Sequence, residues 1–328
     1  MYMDDLEPGM VIARTVVGLD GRSLLTENTR LTPSYIQRMQ NMNIRSIYIK
    51  DGLTDIEVPE IVSERVLLAV SKTLSESVKA LSNRKLMNIG SIKKSVALLV
   101  EDIMSNRHLL IQLEDIRTFD DYLFMHSINV AIFSIMTGLT MGYPESKLMD
   151  LGLGALLHDI GMTMIDQSVL NKTTPLTPEE NELIMTHPEV GFNILRTYRE
   201  VSTTSAHIAY QHHERMSGTG YPRRLDGKQI LEYARIVTVV DTFDAVISDR
   251  PFRNGYSVNE AMTILTKLSD NYFDPQVLEA FTTNVAVYPV GTLLMLNTGH
   301  LAVVTSVSKT NASQPVVHVI SDQQGNFV

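Results

Sequence analysis

The sequence predicts a mainly α protein: a helical bundle with a small N-terminal α/β domain and a short C-terminal β appendage. Three observations predict it. Apolar residues recur at helical intervals from about 60 to 285. β-Branched residues gather in short runs near the two ends of the chain. Helix-start signals, a Thr or Ser cap followed by Pro or by Glu three residues on, recur between them. The division that follows is 1–58 for the α/β domain, 59–118 for a helical linker, 119–285 for the bundle and 286–328 for the appendage.

In the first segment, Val11 to Val17 reads as a strand, Asp20-Gly21 as a turn and Arg22 to Leu25 as the returning strand. Thr32-Pro33 opens a helix to about Met42, with Thr as cap and Pro in the first turn. Ser46 to Lys50 reads as a third strand, closed by Asp51-Gly52. No catalytic cluster falls here, and a docking or dimerisation role is expected. Next, Val62, Val66, Val70, Leu74 and Val78 recur every four residues and give one apolar stripe, a core or homodimer seam. Asn88 to Ser91 breaks it, with Ser91 as the cap of a helix through Met104.

The bundle starts with a long helix from Asp120 to Met141, carrying His126 and Asn129 on neighbouring faces. Glu145 to Leu157 is the next, ending in His158-Asp159 with Gly161 as breaker. Thr177-Pro178-Glu179-Glu180 forms a capping-box start. His187-Pro188 begins another helix, and Ser205 to Glu214 a further one. Met216 to Gly227, with three glycines and a proline, is a loop. Ile230 to Ser248 returns to helix, with Asp241 and Asp244 on nearly one face; Ser257 to Leu268 and Pro275 to Thr283 close the bundle. Beyond Pro289, Leu293–Leu296, Leu301–Val307 and Val316–Ile320 read as strands. His300 and His318, which lie there, read as structural or exposed.

Composition narrows the chemistry. A length of 328 residues suits about two domains. The net charge of −9 argues against binding polymeric nucleic acid, which requires a basic face. Cysteine is absent, so any metal must be held by His, Asp and Glu. The N-terminus lacks a signal-peptide pattern, and no run of 18 apolar residues suggests a membrane span, so a cytoplasmic protein is expected. His158-Asp159 and His212-His213 are adjacent pairs at the ends of apolar segments. A carboxylate such as Asp159 can bridge two cations, as two-metal hydrolases require, and imidazole with carboxylate suits first-row transition metals.

The ordered blocks His126-Ser127-Ile128-Asn129, His158-Asp159-Ile160-Gly161, His187-Pro188, His212-His213-Glu214, Gly220-Tyr221-Pro222 and Asp241-Thr242-Phe243-Asp244 resemble the HD-GYP family. Ser248 to Arg253 also matches that family, and residues 1–58 more loosely resemble a small domain ahead of some members. The resemblance covers 119–285 and implies an HD-type bundle. It implies a bacterial phosphodiesterase that cuts cyclic di-GMP to linear pGpG or GMP through a metal-activated hydroxide. By position it implies His126, His158, Asp159, His187, His212, His213 and Asp241 as metal ligands. His158 and Asp159 form the catalytic core, with Asp159 bridging. It implies Tyr221, Pro222, Arg250 and Arg253 as substrate contacts. Asn129 and Asp244 are expected to support the ligands by hydrogen bonds. Tyr122 stands where members with three metals have a glutamate, so two divalent ions, iron or manganese, are expected.

Two positions depart from the family. Met162 replaces a lysine that offers an ammonium to phosphate, a task Arg223 or Lys172 would have to assume, and Ser217 replaces an aspartate. They motivate two alternatives: a nucleotide receptor with little catalysis, and a hydrolase of another cyclic dinucleotide such as 3′,3′-cyclic GMP-AMP.

Overall fold

A computed structural model describes residues 3–13, 15–17, 23–42, 44, 47–50, 60–110, 122–170, 172, 174–248, 255–309 and 312–323. The protein is mainly helical. It forms two compact units: residues 1–61, 108–125 and 286–328 in one, and 62–107 with 126–285 in the other. These units do not follow the expected division at 59–118 and 119–285.

In the first unit the expected N-terminal strand is two short ones, β1 (Val11–Ile12) and β2 (Val16–Val17). β2 pairs antiparallel with β3 (Ser23–Leu25). α1 (Pro33–Asn41) starts at Thr32, whose hydroxyl accepts from the Tyr35 amide. β4 (Ile49–Lys50) pairs antiparallel with β1. Ile12, Leu31 and Met39 are buried at its centre. The Asp20-Gly21 and Asp51-Gly52 turns lie outside the described residues. β5 (Leu293–Met295), β6 (Leu301–Ser306) and β7 (Val316–Ser321) make an antiparallel sheet in that order.

The second unit starts with α2 (Glu64–Ser82) and α3 (Ile89–Ser105). Val66, Val70 and Leu74 are buried as expected, but the stripe continues through Ser77 and Leu81 rather than Val78. Steps of four residues advance about 400°, so a strict four-residue spacing rotates off one face after a few turns. α3 is capped by Asn88, whose side chain accepts from the Ser91 amide, so Ser91 is the recipient of the cap and not its source. The expected helix start moves upstream because Asn accepts at this position as well as Ser does.

α4 (Tyr122–Thr140) is buried continuously from Met125 to Gly138, including His126 and Asn129. A helix apolar nearly all round belongs in a core. Among the described residues no helix is long and apolar enough to cross a membrane. α5 (Glu145–Leu156) packs on α3 and on α9 (Thr203–Gln211). Between them lie α6 (Gln167–Leu170), α7 (Pro178–Ile184), which has the capping box expected of Thr177 and Glu180, and α8 (His187–Leu195). Gly154 admits α9 closely: a Cβ there would lie 2.8 Å from the Ser205 carbonyl oxygen. α10 (Glu232–Ile247) packs on α9, on α11 (Val258–Tyr272) and on α12 (Pro275–Thr282). Phe133, Phe243 and Phe281 meet edge to face with centroids 4.9–5.9 Å apart, which fixes α4, α10 and α12 around one aromatic centre.

Candidate metal centre

Three helices end at the same place. α5 stops at Leu156, and His158 and Asp159 lie in the turns just beyond it. α7 stops at Ile184, and His187 opens α8 three residues later. α9 stops at Gln211, His212 is its C-cap and His213 follows. The paired residues therefore lie in turns rather than on helix faces. α4 contributes His126 and α10 contributes Asp241 and Asp244.

Each helix end sets the tautomer of its histidine. The Nδ1–H of His158 donates to the Ala155 carbonyl (2.8 Å), that of His187 to Ile184 (2.7 Å), and that of His212 to Ala209 (3.0 Å). His126 is held differently, its Nδ1–H donating to Asp244 Oδ2 at 2.7 Å. In all four this leaves Nε2 as the ring's acceptor atom.

Those lone pairs converge on Asp159. His187 Nε2 is 3.2 Å and His212 Nε2 3.4 Å from Oδ1. His158 Nε2 is 3.4 Å and His126 Nε2 3.8 Å from Oδ2. Asp241 Oδ1 lies 3.2 Å from His126 Nε2, and its Oδ2 lies 3.9 Å from His213 Nδ1. His187 Nε2 and His212 Nε2 are only 3.2 Å apart. Two lone pairs at that distance repel unless a cation lies between them. Among the described residues, His158 Nε2 and Asp159 Oδ1 are buried without a hydrogen-bond partner. Buried polar atoms that lack partners are rare and costly, and a cation satisfies both here.

The donor atoms form two groups that share Asp159. One is Asp159, His187, His212 and His213; the other is His126, His158 and Asp159. This is a divalent-metal site: hard carboxylate and borderline imidazole donors, gathered within 4.8 Å of one another. Charge in the metal-free protein agrees. Burial would raise the Asp159 and Asp241 carboxyls, but the surrounding imidazoles outweigh it and hold both below the usual range. Burial lowers His212, and burial with His212 beside it lowers His213 well below the ordinary value, so both stay neutral and able to ligate. Burial lowers His187 too, but Asp159 outweighs it and the net shift is upward.

Asn129 Nδ2 donates to Asp244 Oδ1 at 2.9 Å, so Asp244 ties α4 to His126 and stands behind the ligand group. Tyr221 stacks on His213, with centroids 4.6 Å apart and 22° between planes, and Pro222 follows it in the turn. Arg250 and Arg253 lie outside the described residues. Lys172 is spent on Glu180, at 2.6 Å, and Arg223 lies over the Tyr210 ring, 5.5 Å from its centroid. Ser217 meets the Thr219 hydroxyl at 2.9 Å, within its own loop.

Two supports were missed in the sequence. The Thr238 hydroxyl lies 2.8 Å from the His212 carbonyl oxygen and 2.8 Å from that of Ala234, and its signal was its place three residues before Asp241 on one helix face. Glu214 is fully buried, and its signal was a charged residue directly after a ligand pair.

The HD domain family matches residues 99–277. A cyclic di-GMP phosphodiesterase of Pseudomonas aeruginosa is 37% identical over 217 residues, which cover 66% of this chain and 52% of that protein. A 3′3′-cGAMP-specific phosphodiesterase of Vibrio cholerae is 30% identical over 164 residues, 50% of this chain and 35% of that protein. The chain thus spans about half, or less, of these relatives. Among solved structures, an HDG"Y"P protein from Bdellovibrio bacteriovorus shares the fold with a TM-score of 0.59 at 20% identity, over 86% of this chain and 97% of that one.

Proposed function

The chain belongs to the HD domain family, in its HD-GYP branch, and from that premise we propose that it is a metal-dependent phosphodiesterase hydrolysing cyclic di-GMP to pGpG or GMP. The observation that carries this reading is the pair of donor groups sharing Asp159. A carboxylate common to both groups suits two divalent ions, iron or manganese, which Asp159 would help to hold. Such ions would supply an acidified water and neutralise charge on the phosphate. The chain's own residues supply the rest. His126, His158, His187, His212, His213 and Asp241 would hold the ions together with Asp159. Asp244 and Asn129 orient His126. Tyr221 and Pro222 border the centre as a substrate wall, and Arg250 and Arg253 supply cations for phosphate or guanine. Hydrolysis adds one water across a P–O3′ bond: the phosphorus gains the water oxygen, and the 3′ oxygen leaves with a proton.

Metal-loaded protein is expected to convert cyclic di-GMP to pGpG or GMP, read by product chromatography. Replacing His158 and Asp159 together by alanine should abolish conversion while leaving the helical circular dichroism. A double variant that turns over normally sinks the site assignment. A second reading, 3′,3′-cyclic GMP-AMP as substrate, is supported by the Vibrio cholerae relative. Competition between the two nucleotides separates the readings.

A further inference from the structure

Glu214 follows the two histidines of the metal centre, yet its carboxylate is absent from both donor groups. It is fully buried. One oxygen accepts the Arg223 amide at 2.8 Å and the other accepts the Leu225 amide at 2.9 Å. Both amides lie just beyond the Gly220-Tyr221-Pro222 turn. The turn is also drawn against the histidine segment directly. The Tyr221 amide donates to the His213 carbonyl at 3.2 Å. A Cβ on Gly220 would lie 2.4 Å from that carbonyl oxygen and 2.5 Å from the Glu214 Cα, so no larger residue fits. The Tyr221 ring in turn stacks on His213.

We propose that Glu214 is a positioning residue that fastens the Gly220-Tyr221-Pro222 turn to the His212-His213 segment, setting Tyr221 at the edge of the metal centre where the substrate docks. The substrate part of this rests on the phosphodiesterase reading; the fastening does not. A buried carboxylate carries a desolvation cost, and two charge-assisted amide bonds offset it. Glutamine has the same shape but only one acceptor oxygen. Its NH2 would face an amide N–H, donor against donor, and one end of the turn would come free.

The test is Glu214→Gln in the full, metal-loaded chain. Three readouts are needed: metal content, hydrogen exchange at the Arg223 and Leu225 amides, and steady-state kinetics with cyclic di-GMP. The expected result is unchanged metal content, exchange at one or both amides faster by about tenfold or more, and KM raised about tenfold with kcat nearly retained. Unchanged exchange overturns the fastening. A parallel loss of metal and kcat at constant KM also overturns the proposal, since Glu214 would then merely hold the ligands. If Glu214→Gln fails to fold, Gly220→Ala, which forces the turn outward and leaves the carboxylate intact, must raise KM; an unchanged KM overturns it. Should the wild-type protein turn over no cyclic dinucleotide, the substrate reading fails, and the two amides still decide the fastening.

Discussion

Asp244 lies in neither donor group, yet both its oxygens are committed to the site. One accepts from His126 and the other from Asn129. Asp244→Asn keeps the size but can accept at only one of the two atoms. The amide would then face either the imidazole N–H or the Asn129 amide, and His126 would lose its fixed tautomer. Partners of this kind typically account for 10- to 100-fold in metal affinity. A metal titration of Asp244→Asn should show a loss of about that size, and unchanged affinity would remove the orienting role. At this scale the sequence was most informative. His126, His158, Asp159, His187, His212, His213 and Asp241 stand together; His158, Asp159, His212 and His213 lie in turns that the apolar periodicity ends on, and His187 opens α8. Adjacency to the ligands marks Glu214 and Thr238, but not their roles, because their partners are backbone atoms and nothing in a one-dimensional pattern marks which carbonyl or amide a side chain will meet.

Among elements, Gly161 marks a close backbone approach within the bundle. A Cβ there would lie 2.1 Å from the His187 carbonyl oxygen and 2.7 Å from the Gly191 amide nitrogen. The turn bearing Asp159 therefore rests backbone on backbone against α8. In the sequence Gly161 reads as a helix breaker; in the fold it is a spacer whose missing side chain sets how close Asp159 comes to His187. Gly161→Ala must push the two apart. Overpacking of this kind costs about 1–3 kcal/mol, which urea unfolding would measure. Metal should be lost from the group containing His187 before the group containing His126. Helices were read to within a few residues because caps such as Thr32, Thr177 and Ser257 are local signals. The α2 stripe leaves the four-residue spacing at Val78, because even spacing over four turns is not the same as one face.

For the molecule as a whole, all seven proposed ligands fall between 126 and 241, within one compact unit. The other unit has its own core around Ile12, Leu31 and Met39. Ions that bind only the folded ligand set stabilise that unit alone, by about 4.1 kcal/mol at a free concentration a thousand times Kd. A chelator should accordingly lower the melting transition followed by helical circular dichroism. Signals from the β segments should move much less. A uniform shift of both would show that the two units unfold as one.

The carbonyls that orient His158, His187 and His212 belong to Ala155, Ile184 and Ala209, each in the last turn of its helix. Such carbonyls have no partner further along their own helix and point outward with a partial negative charge. The imidazoles thus act as C-terminal plugs for α5, α7 and α9, in addition to gripping ions. Cutting one back to alanine removes that cover from a helix end as well as deleting a donor. The alanine variants should therefore melt earlier than the parent even when both are stripped of metal. A glutamine at the same position, able to cover the carbonyl with its amide, should recover part of that loss without recovering the ion.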